Sequence, residues 1–369
     1  MGVPGIINAP KIVGKSLYTK ECHCQTDSQP FYLTGGRPMI LAGDIGGTKT
    51  VLAIYAGITQ VPANPVHETR FKSADYQSFE TIVKEFLDQT GAKPQAACFG
   101  VAGPVKDRHS RITNLPWKIS ADEIERTCGI PKVSLINDLK AIAVSVPHLD
   151  KDGLFTLNPG NPEPKGNRAV IAPGTGLGIA FMVWTGARYH AFASEGGHTA
   201  FSPRNPREVE LLEFLTRRYG HVSFERVCSG SQLPNIYEYF LENKIFSEPV
   251  WLKEKLAATT DKTPVIVETA LENKADICEA TLDIFIRALG TVTGNMAVTL
   301  LPTGGIYLGG GILPRILKRL ARPDFLSNMT DKGRFFSLCA NMPVHVILDP
   351  DAALHGAAWY GFETLVTVF

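Results

Sequence analysis

The apolar positions of this chain fall into short β-branched runs, separated by glycine turns and by stretches with helical spacing. Met39-Ile40-Leu41-Ala42 reads as a buried strand. It is followed by Gly43-Asp44-Ile45-Gly46-Gly47-Thr48 and a second apolar run, Val51-Leu52-Ala53-Ile54-Tyr55. Tyr76, Phe79, Ile82, Val83, Phe86 and Leu87 recur every three or four positions and predict a helix, which Asp75 is placed to cap. Residues 96–101 and 133–136 read as strands ending in polar or glycine residues, and 139–146 reads as a helix. After the Pro/Gly/Asn loop at 158–167, strands at 169–172 and 179–184 flank a glycine turn at 173–178. Val209, Leu212, Leu215 and Tyr219 mark an amphipathic helix, and 276–301 a long apolar one. Residues 305–308 form a strand leading through Gly309-Gly310-Gly311 into a helix over 313–320. Strands alternating with helices define an α/β protein. Both halves open with strand, glycine turn and strand, which predicts an internally duplicated architecture around a central cleft.

Residues 1–38 break this pattern. They carry Pro4, Pro10, Pro30 and Pro38, several glycines and no sustained period, so a loosely ordered extension is expected. Gly14-Lys15-Ser16 looks like the end of a Walker phosphate loop, but the first glycine of that motif falls on Ala9. Met1-Gly2 is followed by Ile6 where myristoylation needs Ser or Thr. Lys11, Lys15 and Lys20 leave organelle targeting open. Cys22-His23-Cys24 is half of a zinc pattern without a second half at the right spacing.

Length and composition narrow the class. At about 150 residues per domain, 369 residues suggest two or three domains. The 37 Lys+Arg balance 36 Asp+Glu, which argues against nucleic acid as the main partner. The most apolar stretch, 284–302, is interrupted by Arg287 and Asn295 and reads as a buried helix rather than a membrane span. No charged-then-apolar secretory start is visible, and seven scattered cysteines read as reduced thiols in the cytoplasm.

The glycine turns carry the first candidate chemistry. A dinucleotide fingerprint opens a helix, whereas the residues after Thr48 suit a strand, so 43–48 is a hairpin. Glycines there let a phosphate approach backbone N–H groups, and the same holds for Gly174-Thr175-Gly176-Leu177-Gly178. Asp44 beside a phosphate is repulsive unless Mg²⁺ lies between them, directly or through water. Its alternative is a turn residue bonding its own backbone. Gly309-Gly310-Gly311 offers a helix N-terminus to a nucleotide. Arg315, Lys318, Arg319 and Arg322 beyond it share one face, read as solvated.

Together the segments 43–48, 174–178 and 308–311 resemble the two phosphate motifs and the adenosine motif of the actin, sugar-kinase and heat-shock-chaperone superfamily. Within it, Leu115-Pro116-Trp117, Ile136-Asn137-Asp138, Ser194-Glu195-Gly196-Gly197-His198, the run 220–226 and the run 331–335 are similar to bacterial-type glucokinase. The similarity runs in order from about residue 39 nearly to the end. It implies two ribonuclease-H-like (actin-like ATPase) domains, 39–148 with 350–369 and 149–349, around a cleft. It also implies ATP with Mg²⁺ as cofactors, D-glucose as substrate phosphorylated at its 6-hydroxyl, and a homodimer. Gly43, Asp44, Ile45, Gly46, Gly47, Thr48, Gly174, Thr175, Gly176, Gly309, Gly310 and Gly311 become the candidate nucleotide residues, and Asp44 the candidate metal residue.

Asp138 closes a strand and opens a helix, so it can be an N-cap or, as the resemblance implies, the base that takes the sugar hydroxyl proton. An ordinary aspartate is already ionised at neutral pH, so no tuning is expected. The resemblance makes Asn137, Asp138, Glu195, His198 and Glu225 the hexose-binding set. Paired carboxylates also suit glycoside hydrolysis, which the phosphate-type turns make unattractive. Related repressors carry a zinc cysteine cluster after the His, but 201–208 has no cysteine, and no helix-turn-helix module precedes residue 39. The rivals are the same chemistry on mannose, fructose or glucosamine, and a non-catalytic nucleotide-binding protein such as an actin-like filament former or a sugar-sensing regulator.

Overall fold

Strands that are apolar on both sides, as Met39–Ile45 is, need cover on both faces of their sheet. A computed structural model describes residues 38–57, 64–112 and 115–366 and shows what supplies that cover. The expectations for 1–37, including the Cys22-His23-Cys24 cluster and the targeting lysines, lie outside the described residues.

The first sheet has the strand order His67–Lys72, Lys49–Ala56, Met39–Ile45, Ala96–Val101, Val133–Asn137. Its first three strands are antiparallel and its last three parallel. On one face Leu41, Ile45, Leu52 and Ile54 pack with Phe79, Phe86, Phe99 and Trp117. On the other, Ile40, Ala42, Val51 and Ala53 meet Leu354, Ala357, Ala358 and Phe362 of the C-terminal helix Ala352–Val366. That face is built of small residues, so the helix sits close. A Cβ on Gly361 would lie 2.7 Å from Ile40 Cγ2, and one on Gly356 only 1.8 Å from the carbonyl oxygen of Ala141.

The second sheet runs Tyr189–Ser194, Leu177–Trp184, Arg168–Pro173, Ile306–Leu308, Val344–Ile347, with Leu154–Asn158 added at the edge. Its first five strands repeat the order and sense of the first sheet. Ile171, Ile179, Leu308 and Val346 face a large helical core that includes the long helix Asp276–Leu300. Val170, Ala180, Met182 and Tyr307 face Ala143 and Val146. Helix Asp138–Ser145 therefore packs on both sheets, with Ala141 in the first sheet's core and Ala143 against the second. No helix among the described residues is long and apolar enough to cross a membrane.

Four local expectations are corrected. Ser78, not Asp75, is the N-cap of helix Phe79–Thr90, because Asp75 belongs to a separate 3₁₀ turn, Ser73–Asp75. Helix Pro206–Tyr219 buries Glu208, Leu211, Phe214 and Leu215, while Val209 and Tyr219 are 43% and 38% exposed. The predicted helix over 313–320 is a 3₁₀ turn, Leu313–Ile316, followed by four α-helical residues, Leu317–Leu320. Arg319 is 6% exposed rather than solvated. Its guanidinium donates to Asp283 Oδ1 at 3.0 Å and Glu279 Oε2 at 3.1 Å on the long helix.

Candidate active site

Both glycine turns have the same hydrogen-bond logic. In the first hairpin, strand pairing ends at Ile45 and Thr50, and Gly46 N donates to Lys49 O at 3.0 Å. Ser73 secures the turn from behind: its Oγ donates to Gly46 O at 2.8 Å and its N–H to Thr48 O at 3.1 Å. Thr50 Oγ1 lies 3.0 Å from the same Ser73 Oγ, and both residues are buried. In the second hairpin, pairing ends at Pro173 and Leu177. Gly174 N donates to Gly176 O at 2.8 Å, Gly230 N to Gly174 O at 2.7 Å, and Ser231 Oγ to Thr175 O at 2.6 Å. Turn carbonyls are thus occupied in both. The amides of Gly47, Thr48, Thr175 and Gly176 donate to nothing among the described residues. Backbone N–H groups left open in a turn can receive anionic oxygens, so both turns are candidate phosphate receptors.

Not every glycine of these motifs serves the same purpose. A Cβ on Gly43 would lie 2.6 Å from Phe99 Cδ1 and 2.8 Å from Leu52 Cδ2, and the Ile45 side chain is fully buried. Those two positions hold the strand in its core and can offer a ligand only backbone. Gly309 N donates to Ile171 O at 2.9 Å, and Gly310 has φ +92° with its Cα against Pro173 O, where a Cβ would stand at 2.3 Å. The triple glycine therefore lies alongside the base of the second hairpin. With a 3₁₀ turn after it, the expected α-helix N-terminus is absent there. Gly311 instead borders a cavity of about 910 Å³ with Gly174, Thr175, Gly230, Ser231 and Arg315. Thr263, Val267 and Leu271 supply another wall. Sequence reading missed Gly230, Ser231 and Thr263; the Ser229-Gly230-Ser231 loop was a signal for the first two, and nothing local marks Thr263. Thr263 Oγ1 donates to Gly230 O at 2.5 Å, tying wall to hairpin.

The carboxylates lie beside these turns. Asn137, not Asp138, is the N-cap of helix Asp138–Ser145: Asn137 Oδ1 accepts from Leu139 N at 3.0 Å and Lys140 N at 3.2 Å. Its amide donates to Gly103 O at 3.2 Å and to Asp138 Oδ1 at 2.9 Å. Asp138 Oδ1 also accepts from Leu139 N at 2.9 Å, while Oδ2 accepts from no described residue. Close packing fixes this helix end. A Cβ on Gly178 would lie 2.3 Å from the Leu139 side chain, and one on Gly100 would be 3.8 Å from Asp138 Cα.

Opposite stand Glu195, His198 and Glu225. His198 Nε2 is 3.9 Å from Glu195 Oε2, and its Nδ1 is 3.9 Å from Glu225 Oε1. Glu225 Oε2 accepts from Leu177 N at 2.9 Å and blocks any side chain at Gly176, whose Cβ would be 2.5 Å away. One carboxylate therefore links the His198 cluster to the second hairpin. His198 thus joins Glu195 to Glu225, and the charge of Glu195 reaches Asp138, which Asn137 holds.

Electrostatics set two carboxylates apart. Burial pushes Asp138 up to about 6, against the lowering effect of its backbone hydrogen bonds, with the nearby charges of Asp44 and Glu195 adding to the rise. The expectation of an untuned aspartate is corrected: loss of water around the helix start outweighs the N–H donors. Burial likewise pushes Asp44 up to about 6, with Lys49 opposing and Asp351 assisting. Asp44 accepts no side-chain hydrogen bond from a described residue, so the turn-capping alternative has no partner here.

Comparison with known proteins identifies the family. A family model described as Glucokinase matches residues 41–363. A glucokinase of Nostoc punctiforme is 37% identical over 333 residues, spanning 87% of this chain and 98% of its own. The crystal structure of a glucokinase from an Antarctic psychrotroph superposes with a TM-score of 0.76 at 30% identity, over 88% of this chain and 99% of the other. A ROK family glucokinase from Streptomyces griseus, in complex with glucose and AMPPNP, shares the fold at 19% identity and a TM-score of 0.57, covering 88% and 99%. From its first strand to its last helix, this chain belongs to the glucokinase family.

Proposed function

We propose that this chain transfers the γ-phosphoryl group of ATP to the 6-hydroxyl of D-glucose, giving glucose 6-phosphate and ADP. One observation carries the reading: two turns with unoccupied amides flank a half-buried carboxylate, Asp138, that keeps one oxygen uncommitted. The 910 Å³ cavity beside Gly174 and Gly311 takes the adenosine, and the amides at 47–48 and 175–176 take the phosphates. Glu195, His198 and Glu225 accept and donate to the sugar hydroxyls. Asn137, whose polar atoms are all engaged by the protein, positions Asp138 in place of the direct sugar contact implied by the resemblance.

The 6-hydroxyl oxygen forms a bond to γ-phosphorus as the bond from phosphorus to the β-γ bridging oxygen breaks, and the hydroxyl proton passes to Asp138 Oδ2. Such help from a positioned base is worth roughly 10²–10⁴ in rate. Asp44 fits Mg²⁺ as a half-buried carboxylate that no described side chain or backbone N–H engages. That suits an ion held by one carboxylate, water and substrate phosphates. When bound, Mg²⁺ neutralises charge on the transferring phosphates.

The lobes are taken as 39–148 with 350–369, and 149–349, a duplicated pair of actin-like domains. Water competes with the sugar, so the cleft should close on glucose. Small-angle scattering should show a smaller radius of gyration with glucose; an unchanged value contradicts closure. Ser73→Ala removes the donor that secures the first turn. We expect KM for ATP to rise about five- to tenfold with KM for glucose unchanged, as one lost hydrogen bond implies; equal changes in both would mean general loosening.

The reading itself is tested by a sugar panel with purified protein and Mg-ATP. Glucose should give the highest kcat/KM, ahead of mannose, fructose and glucosamine. Preference for another hexose would reassign the substrate, and ATP binding without phosphorylation of any sugar would make the chain a non-catalytic binder.

A further inference from the structure

A second cavity, of about 390 Å³, lies away from the glycine turns. Its size falls within the roughly 300–1,000 Å³ of small-molecule sites. Three elements that carry the site wall it: the helix begun by Asp138 gives Lys140, the strand after the second hairpin gives Trp184, and the C-terminal helix gives Tyr360. The strand turn at Arg188 and Tyr189 and the loop at His148 complete it.

Its lining carries unmatched positive charge. Lys140 Nζ stands 5.0 Å from the Tyr360 ring centroid and has no carboxylate within ion-pair distance among the described residues. Burial lowers its pKa, the mark of an ammonium short of a counter-charge. Glu363 is the single carboxylate in the lining, and it pairs with Arg188 at 3.6 Å. An anion in the cavity supplies the counter-charge that Lys140 lacks, and the faces of Trp184, Tyr189 and Tyr360 suit a partly apolar ring.

We propose that this cavity is a second ligand site, separate from the cleft, that takes a small phosphorylated sugar of the hexose monophosphate class. Its phosphate meets Lys140 and Arg188, and its ring lies against the aromatic side chains. Because the walls come from elements packed on both sheets, an occupant that fits one arrangement of the sheets better than the other shifts the balance between them.

Calorimetric titration with glucose 6-phosphate tests this. The cleft is first disabled with E195Q/H198N, so that binding there does not obscure the second site. In that background we expect saturable binding that K140M/R188M weakens at least tenfold. R188M alone, at a side chain 44% exposed and safe for folding, should weaken it at least threefold. Inorganic phosphate should bind at least tenfold more weakly than glucose 6-phosphate. Unchanged affinity in the cavity variants overturns the site, and equal affinity for inorganic phosphate overturns the sugar class. Neither outcome depends on turnover, so a failure of the glucokinase reading would show separately, as absent sugar phosphorylation by the unaltered chain.

Discussion

Replacing Asp138 by Asn should lower kcat at least about 10²-fold while KM for glucose changes little. Asparagine keeps the shape and the contact with Asn137 but cannot accept the hydroxyl proton. The wild-type pH profile gives an independent readout. The base must be ionised, and burial holds it near 6, so kcat/KM should fall as the pH drops through about 6 rather than about 4. Stability has the opposite sign. The folded carboxyl binds its proton more tightly than the unfolded one, so its stabilising contribution is complete below about pH 4 and lost as pH rises through 6. At pH 7.5 the Asn variant should therefore melt higher than the wild type while turning over far more slowly. A variant with wild-type turnover would remove Asp138 from the chemistry.

Gly356→Val should cost about 3 kcal/mol or more, read as a fall in melting temperature of roughly 5 °C or more. The new Cβ would stand 1.8 Å from Ala141 O, 2.6 Å from Ala141 C and 3.2 Å from Ser145 N. All three are backbone of the helix that starts at Asp138, so no rotamer change relieves the clash. The C-terminal helix must move off, and that helix end shifts with it. Activity should fall together with stability. Gly153→Ala is the control: its Cβ meets nothing within 4 Å, so the change should stay within about 0.5 kcal/mol. An unaffected Gly356→Val would mean that the two helices are not held in this close contact.

Much of this was legible in the sequence where one local pattern had one physical cause. The runs around Met39, Ala96 and Ala169 became strands at nearly the expected bounds, because continuous apolarity in a short segment leaves few alternatives. The hairpin nature of 43–48 followed from the β-branched residues after Thr48. Other positions depend on distant partners. Arg319 looks solvated in a basic stripe; only the fold brings Asp283 and Glu279 to it. Gly43 resembles a phosphate glycine until Phe99 and Leu52 close over it. Whether Asn137 or Asp138 caps the helix depends on backbone angles the sequence does not display. Glu225 was chosen through the resemblance alone. Its bond to Leu177 N, which joins the proposed sugar and phosphate regions, comes from chain segments 48 residues apart.

The most direct measurement is a crystal structure of this chain with glucose and a non-hydrolysable ATP analogue. The account predicts the sugar's 6-oxygen within about 2.6–3.2 Å of Asp138 Oδ2, on the side facing the terminal phosphate. That phosphate should accept hydrogen bonds from amides of both turns. Glucose bound with its 6-oxygen pointing away from Asp138, or a nucleotide tail lying outside the two hairpins, would contradict it.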